Sequence, residues 1–266
     1  MAMHPVRMAG LLRPSPSREV QAWADACDVT PTWAQLLPIE RMVRRLKRAE
    51  VWADNDALLL MAVHDAQAAC IDLRFPEREG TPHGDPAFTP GRGFDFDGSN
   101  DYLATGFVPS THCASATGTQ GCHGVYERTN VQDAGFAYAA TKTGASLSLR
   151  TRNASDLMAG QYNSSASGVN APSTDSRGLT VFQRDGDGGE FFKNGVSQGP
   201  ETLTILTSAL IDLEIYVGAR NNNGVTADYR GSDVALWFMA GKRAAAKHAA
   251  FTSIVQAYMA EVGAAA

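Results

Sequence analysis

Between residues 93 and 240 the chain is cut into short extended segments by turn-forming residues, and this restricts the fold more than any other feature. Phe94-Asp95-Phe96-Asp97 alternates apolar and acidic side chains, so in a strand its two rings face one way and its two carboxylates the other. Gly98-Ser99-Asn100 supplies a turn, and Asp101-Tyr102-Leu103-Ala104 resumes extended structure. Further strands are expected at 124–128, 136–141, 146–151, 179–184, 190–193, 203–206, 214–219 and 232–239. Asp185-Gly186-Asp187-Gly188-Gly189 and Lys193-Asn194-Gly195 have the residues that tolerate the positive φ of tight hairpins. Many short strands with glycine-rich turns favour a β-sandwich or barrel.

The flanks have a different character. Residues 1–17 hold Pro5, Pro14 and Pro16 and read as an arm, which a neighbouring subunit could order. From Pro38 the apolar residues Ile39, Met42, Val43 and Leu46 mark one face of a helix. Its other face carries Arg41, Arg44, Arg45, Lys47 and Arg48, which suits a solvated surface, an acidic protein partner or, last, nucleic acid. A second helix is expected over 54–70, with Asp54 or Asn55 as its N-cap, Trp52 as a packing anchor at the join, and His64 as a structural histidine. Glycines and prolines from Gly80 to Gly93 make a connecting loop. Near the end, Phe251, Ile254, Val255, Tyr258, Met259 and Val262 form a continuous helical stripe, to cover a sheet face or a subunit contact. The expected divisions are an arm at 1–37, a helical assembly segment at 38–80, and a sandwich with its terminal helix at 81–266.

Composition narrows the partners. The net charge of −5 gives no basic balance for nucleic acid. No run of about 18 apolar residues is present, so membrane insertion is not expected. The apolar patch from Met8 to Leu12 is too short for a signal peptide, which makes cytoplasmic synthesis the expectation. The four cysteines lack zinc-ligand spacing. Free buried thiols are the leading reading for them, with a Cys113–Cys122 disulfide or a metal site as alternatives.

Gly93-Phe94-Asp95-Phe96-Asp97-Gly98-Ser99-Asn100-Asp101-Tyr102-Leu103 resembles the opening hairpin of laminin-G-like, concanavalin-type jelly rolls. Glu190-Phe191-Phe192-Lys193-Asn194-Gly195-Val196 is similar to a strand and turn of that group. Ile215-Tyr216-Val217-Gly218-Ala219-Arg220 with Tyr229-Arg230-Gly231-Ser232-Asp233-Val234 resembles its closing strands. Upstream, Leu46-Lys47-Arg48-Ala49-Glu50-Val51-Trp52, Asp56-Ala57-Leu58 and His64-Asp65-Ala66-Gln67-Ala68-Ala69 resemble a module of phage and prophage structural proteins, where it precedes a similar jelly roll. The resemblance implies an antiparallel sandwich preceded by helices and closed by a C-terminal helix. It also implies a virion component such as a head spike, tail fibre or baseplate protein, including those of gene-transfer particles. Its partners would be other virion proteins and copies of itself in a homo-oligomer, with a cell-surface polysaccharide as ligand. A purely architectural subunit is the alternative.

Catalysis is not expected from the motifs. Neither a Gly-x-Ser-x-Gly nucleophile elbow nor a phosphate-binding or dinucleotide-binding loop is present, and no cofactor or metal is called for. Glycoside cleavage needs paired carboxyl groups. Asp212 and Glu214, read as i and i+2 of a strand, are the best pair for a depolymerase, although solvent-facing acids explain them better. Asp95 and Asp97 have the same bland explanation, and Asp185, Asp187 and Glu190 suit a polar hairpin tip better than calcium. Sugars are held by aromatic faces and amide groups, so the glycan candidates are Tyr162 and Asn163 beside the serine-rich loop 164–176, and Asn221, Asn222 and Asn223 with Tyr229. Turn geometry alone would also account for these asparagines.

Overall fold

The structure, a computed structural model, describes residues 15–164, 168–203, 207 and 209–266. It begins with α1 (Arg18–Ala26) and α2 (Trp33–Arg48), then β1 (Asn55–Leu60), β2 (Thr81–His83), β3 (Ala87–Thr89), β4 (Gly93–Asp97) and β5 (Tyr102–Ala104). One helical turn, α3 (Pro109–His112), leads to β6 (Gln120–Glu127), β7 (Tyr138–Lys142), β8 (Ala145–Arg150), β9 (Leu157–Tyr162) and β10 (Val169–Pro172). The hairpin strands β11 (Gly178–Asp185), β12 (Gly188–Lys193) and β13 (Val196–Thr202) follow. The chain closes with β14 (Tyr216–Val217), β15 (Arg220–Asn222), β16 (Val225–Ala227), β17 (Gly231–Ala240) and α4 (Ala245–Val262).

The strands form two sheets. The first runs β13-β12-β11-β6-β17-β4-β3, with β1 also on β17. Gly231–Val234 of β17 pair with β4 and Leu236–Ala240 pair with β1, so two strands share one edge of β17 in succession. The second sheet runs β10-β9-β8-β7-β14-β5-β2, with β15 parallel to β7 and β16 against β15. Between the sheets the rings of Phe107, Tyr138, Phe182, Phe191 and Trp237 are buried, each worth roughly 1.5–3 kcal/mol for its removal from water. Trp237 meets Tyr138 at 6.0 Å and Phe107 at 5.7 Å between centroids. The next residue, Phe238, points the other way and meets Phe251 of α4 at 4.7 Å, while His248 of α4 stacks on Phe192 at 3.9 Å. The apolar stripe of α4 therefore covers the outer face of the first sheet. The architecture is the antiparallel sandwich, with leading helices and a closing helix, that the resemblance to concanavalin-type jelly rolls implied.

Local chemistry explains several boundaries. Phe94 and Phe96 are buried while Asp95 and Asp97 are exposed, as the alternation requires. The β12–β13 turn places Asn194 at φ +50° and Gly195 at φ +80°, the expected tight hairpin. Helix α2 starts five residues before the expected Pro38 because Thr32 and Gln35 form a reciprocal capping box (Thr32 N–H to Gln35 Oε1, 2.8 Å). Pro38 sits inside the helix. Within the expected arm, residues 18–26 form α1 and bury Val20, Trp23 and Ala24; residues 1–14 lie outside the described residues. The basic face of α2 is partly spent inside the chain, since Arg41 pairs with Glu261, Arg44 with Glu40 and Lys47 with Glu19.

The second helix expected over 54–70 does not form. Residues 55–60 are a strand buried on both faces, and only Ala68–Cys70 makes a short 3₁₀ turn. Asn55 is no helix cap: its Nδ2 donates to the carbonyls of Val51 (2.7 Å) and Trp52 (3.1 Å). Trp52 is buried as a packing anchor, and His64 has a structural contact, its Nε2 lying 2.8 Å from the Val29 carbonyl. All four cysteines are free, so Cys113 and Cys122 form no disulfide. Cys122 is buried with its Sγ 3.2 Å from the Gly241 carbonyl, and burial pushes its thiol up to about 11. Of the strand expected at 203–206, residues 204–206 lie outside the described residues.

Candidate functional site

The second sheet turns its inner face to the core through Leu147, Leu149, Met158, Tyr162 and Val169, which are buried. Alternation then sends the intervening residues to the outer face. Cross-strand pairing aligns them: Ser148 lies opposite Gln161 and Ala139, Arg150 opposite Ala159, and Ala159 opposite Asn170. The outcome is a trough on the outer face with a cavity of about 250 Å³ lined by Ser148, Arg150, Asn153, Gln161 and Asn170, among others. Gln161 also lines an adjoining depression of about 330 Å³ with Thr141, Lys142, Arg220 and Asn222. Arg150 and Asn153 continue it on the other side into one of about 220 Å³. Hydroxyls, amides and guanidinium groups therefore line one continuous open surface.

The groups in the trough are held in place. Ser148 Oγ donates to Gln161 Oε1 at 3.1 Å. Arg150 donates from Nε to the Ala134 carbonyl at 2.8 Å, and its guanidinium carbon sits 3.5 Å from the centroid of the Phe136 ring. Behind this strand end is a buried ionic cluster. Arg230 and Glu127 have fully buried side chains and meet at 2.8 Å, and Arg230 also reaches Asp133 (2.7 Å) and Thr151 Oγ1 (2.9 Å). Thr151 follows Arg150, so the cluster fixes the end of β8 from the core side. Behind β9, His123 is buried with Nε2 3.1 Å from the Gln161 carbonyl, and burial lowers its pKa to about 3, so it is neutral.

The glycan candidates read from the sequence divide into two groups. Tyr162 is fully buried, and its Oη donates to the Thr117 carbonyl at 2.7 Å. Asn163 is buried at φ +46°, donating to the Gly118 carbonyl (3.1 Å) and accepting from Ile211 N (3.2 Å). Asn221 is buried and spans its own turn, donating to the Glu214 carbonyl (2.9 Å) and accepting from Gly224 N (2.8 Å). Those three side chains hold backbone. Asn222 and Asn223 are exposed, and Asn222 borders the trough, accepting from Thr141 Oγ1 at 3.3 Å. Tyr229 is half-buried, 6.4 Å from Tyr102. In the serine-rich loop 164–176, residues 165–167 lie outside the described residues. Sequence reasoning missed Ser148, Arg150, Gln161 and Asn170; the readable signal is that Ser148 and Arg150 alternate with leucines in 146–150 and Asn170 stands between Val169 and Ala171.

Other candidates are occupied. His83, Tyr102 and Tyr216 form a ladder across β2, β5 and β14, with centroid separations of 4.5 and 4.7 Å. Both faces of Tyr102 are thus used by its neighbours rather than offered to a sugar. Asp212 and Glu214 do not share a strand face, because β14 begins only at Tyr216. Asp212 pairs with Lys142, which holds its carboxyl below the usual range, and Glu214 accepts from Gly106 N at 2.6 Å. Asp185 pairs with Lys242 and accepts from Gln120 Nε2 at 2.8 Å. Asp95 faces Asp233 across the strands, and burial together with that second carboxylate raises its pKa. Among the described residues no cluster of three or more metal-ligating side chains occurs, and no helix is long and apolar enough to cross a membrane.

The fold is a two-sheet antiparallel sandwich that carries an open polar face on its second sheet. The solved structures similar to it include the receptor binding domain of botulinum neurotoxin C/D mosaic serotype, with a TM-score of 0.55 and 10% identity over 76% of this chain and 51% of that one. Another is a structure of botulinum neurotoxin type C described by cell entry dependent on two ganglioside molecules (TM-score 0.54, 11% identity, 76% and 52% covered). A mutant of Trypanosoma rangeli sialidase displaying trans-sialidase activity also matches, with a TM-score of 0.51 and 13% identity over 80% of this chain and 38% of that one. This chain thus spans about half or less of the length of these structures, and the likeness is one of fold. No family model and no curated protein matches the sequence. The sialidase match corrects the expectation of a chain without catalytic function: the same sandwich occurs within an enzyme, so lack of the common nucleophile motifs does not make the chain a non-enzyme.

Proposed function

We propose that this chain is a glycan-binding subunit of a phage-like particle that attaches the particle to a bacterial surface polysaccharide. The observation carrying the glycan reading is the trough on the second sheet, where Ser148, Arg150, Asn153, Gln161 and Asn170 face one open cavity. Such a surface sets several hydrogen-bonding groups among apolar patches, which suits a ligand with hydroxyls on its edge and C–H groups on its face. The occurrence of the fold in a toxin described with two ganglioside molecules is in keeping with it. The particle reading is supported by the strings in 46–69 that resemble a module of phage structural proteins. Other virion proteins and further copies of the chain are its proposed partners, since weak sugar contacts gain avidity, ~10²-fold, when several are linked.

The test is binding of the purified protein to intact bacteria and to isogenic mutants lacking capsule. Binding that disappears with the capsule is the result this reading requires. Equal binding to both strains, or none to either while the protein assembles with particle components, would favour the architectural role instead.

A further inference from the structure

Within the trough, Arg150 differs from the arginines around it. Arg152 is paired with Asp156 at 2.7 Å, Arg220 with Asp228 at 2.6 Å and Arg230 with Glu127 at 2.8 Å. Arg150 makes no ion pair among the described residues. Its Nε is committed to the Ala134 carbonyl and its plane is stacked on Phe136, so the guanidinium is oriented without being neutralised. The two terminal nitrogens have no hydrogen-bond partner among the described residues, and the side chain lines both the 250 Å³ cavity and the adjoining 220 Å³ depression. The nearby acids are already engaged: Asp133 with Arg230 (2.7 Å), Asp228 with Arg220 (2.6 Å), and Asp156 with Arg152 and Gln132 (3.0 Å).

A guanidinium with a fixed plane and two open nitrogens matches a carboxylate, which can accept two parallel hydrogen bonds. We infer that the trough selects a sugar bearing a carboxylate, which Arg150 holds through its terminal nitrogens while Gln161 and Asn170 meet the ring hydroxyls. This inference rests on the glycan reading above and names its substrate class. Burial around Arg150 also disfavours its lone charge, and an incoming anion relieves that. The chain's net charge of −5 is no obstacle at physiological salt, where charges beyond about 8 Å are largely screened.

The test is equilibrium binding of the full chain to an immobilised panel of hexuronate, sialylated and neutral hexose oligosaccharides. The strongest acidic binder is then measured before and after chemical reduction of its carboxyl groups to alcohols. The expected result is preference for acidic sugars, a loss of about 10- to 100-fold on carboxyl reduction, and a similar loss in Arg150→Gln. The reduced ligand reports on charge recognition even if that variant folds poorly. Neutral sugars bound as well as acidic ones, or full affinity after reduction, would overturn carboxylate selection while leaving glycan binding intact. Binding to no member of the panel would overturn both.

Discussion

Replacing Arg230 by methionine should be among the most damaging single changes available in this protein. The side chain is fully buried and donates to both Glu127 oxygens (2.8 and 3.3 Å), Asp133 (2.7 Å), Thr151 Oγ1 (2.9 Å), and the carbonyls of Val131 (3.1 Å) and Arg152 (3.2 Å). Methionine fills much of the volume but leaves the Glu127 carboxylate buried with, among the described residues, only the hydroxyls of Ser232 and Thr151 as hydrogen-bond partners. Removing one member of a buried ion pair costs about 3–5 kcal/mol, chiefly through the stranded charge. For a chain of this size that corresponds to a fall in melting temperature of roughly 6–20 °C. Urea unfolding of wild type, Arg230→Met, Glu127→Leu and the double variant gives the coupling directly. The double variant should recover at least ~1 kcal/mol relative to the sum of the singles, since neither charge is then stranded. A single-variant cost below about 1 kcal/mol, or strict additivity, would show that the Arg230–Glu127 pair is not a buried, coupled ion pair. Because Thr151 adjoins Arg150, the single variant should also weaken ligand binding in the trough.

Two further outcomes follow from burial. His123 and His248 have pKa values lowered to about 3, first by burial and in His248 also by Arg243, against an ordinary value of 6.5. Their neutral forms favour the fold fully above pH 6.5, and that stability is lost as pH falls from 6.5 towards 3. Their imidazole NMR signals should therefore stay fixed between pH 8 and 5, and a titration midpoint near 6.5 would contradict the packing. In the sandwich interior, a Cβ on Gly160 would stand 2.6 Å from Phe182 Cγ and 2.9 Å from Phe191 Cζ, so Gly160→Ala should lower stability by about 1–3 kcal/mol. An unchanged urea midpoint would show that β9 does not lie against those rings.

What could be read from the sequence depended on how local its cause was. Helix α4 was legible because its stripe is long and one-sided, and the β11–β12 and β12–β13 hairpins because Asp-Gly and Asn-Gly fix a turn within a few residues. Strand β1 was not. Leu58-Leu59-Leu60-Met61 has no polar alternation, because α-helical packing covers one face of that sheet and the sandwich core the other, and a run buried on both sides has no period. Helix α1 was hidden by the prolines before it, and the true start of α2 by Pro38, a residue usually found at a helix start. The site was half legible. Tyr162 and Asn163 sit beside it in sequence, but register points Tyr162 inward and its neighbour Gln161 outward. That one-residue difference is settled by which strands pair, a long-range fact that single-residue chemistry does not contain.

On the proposed function, a glycan binds the outer face of the second sheet. Amide chemical-shift mapping of the isotope-labelled chain, titrated with an oligosaccharide from a capsule that supports binding, tests it most directly. Shifts should concentrate at Ser148, Arg150, Asn153, Gln161 and Asn170 and spread to Thr141 and Asn222. Saturable shifts confined to the first sheet, or to the helices that cover it, with the trough unmoved, would contradict it.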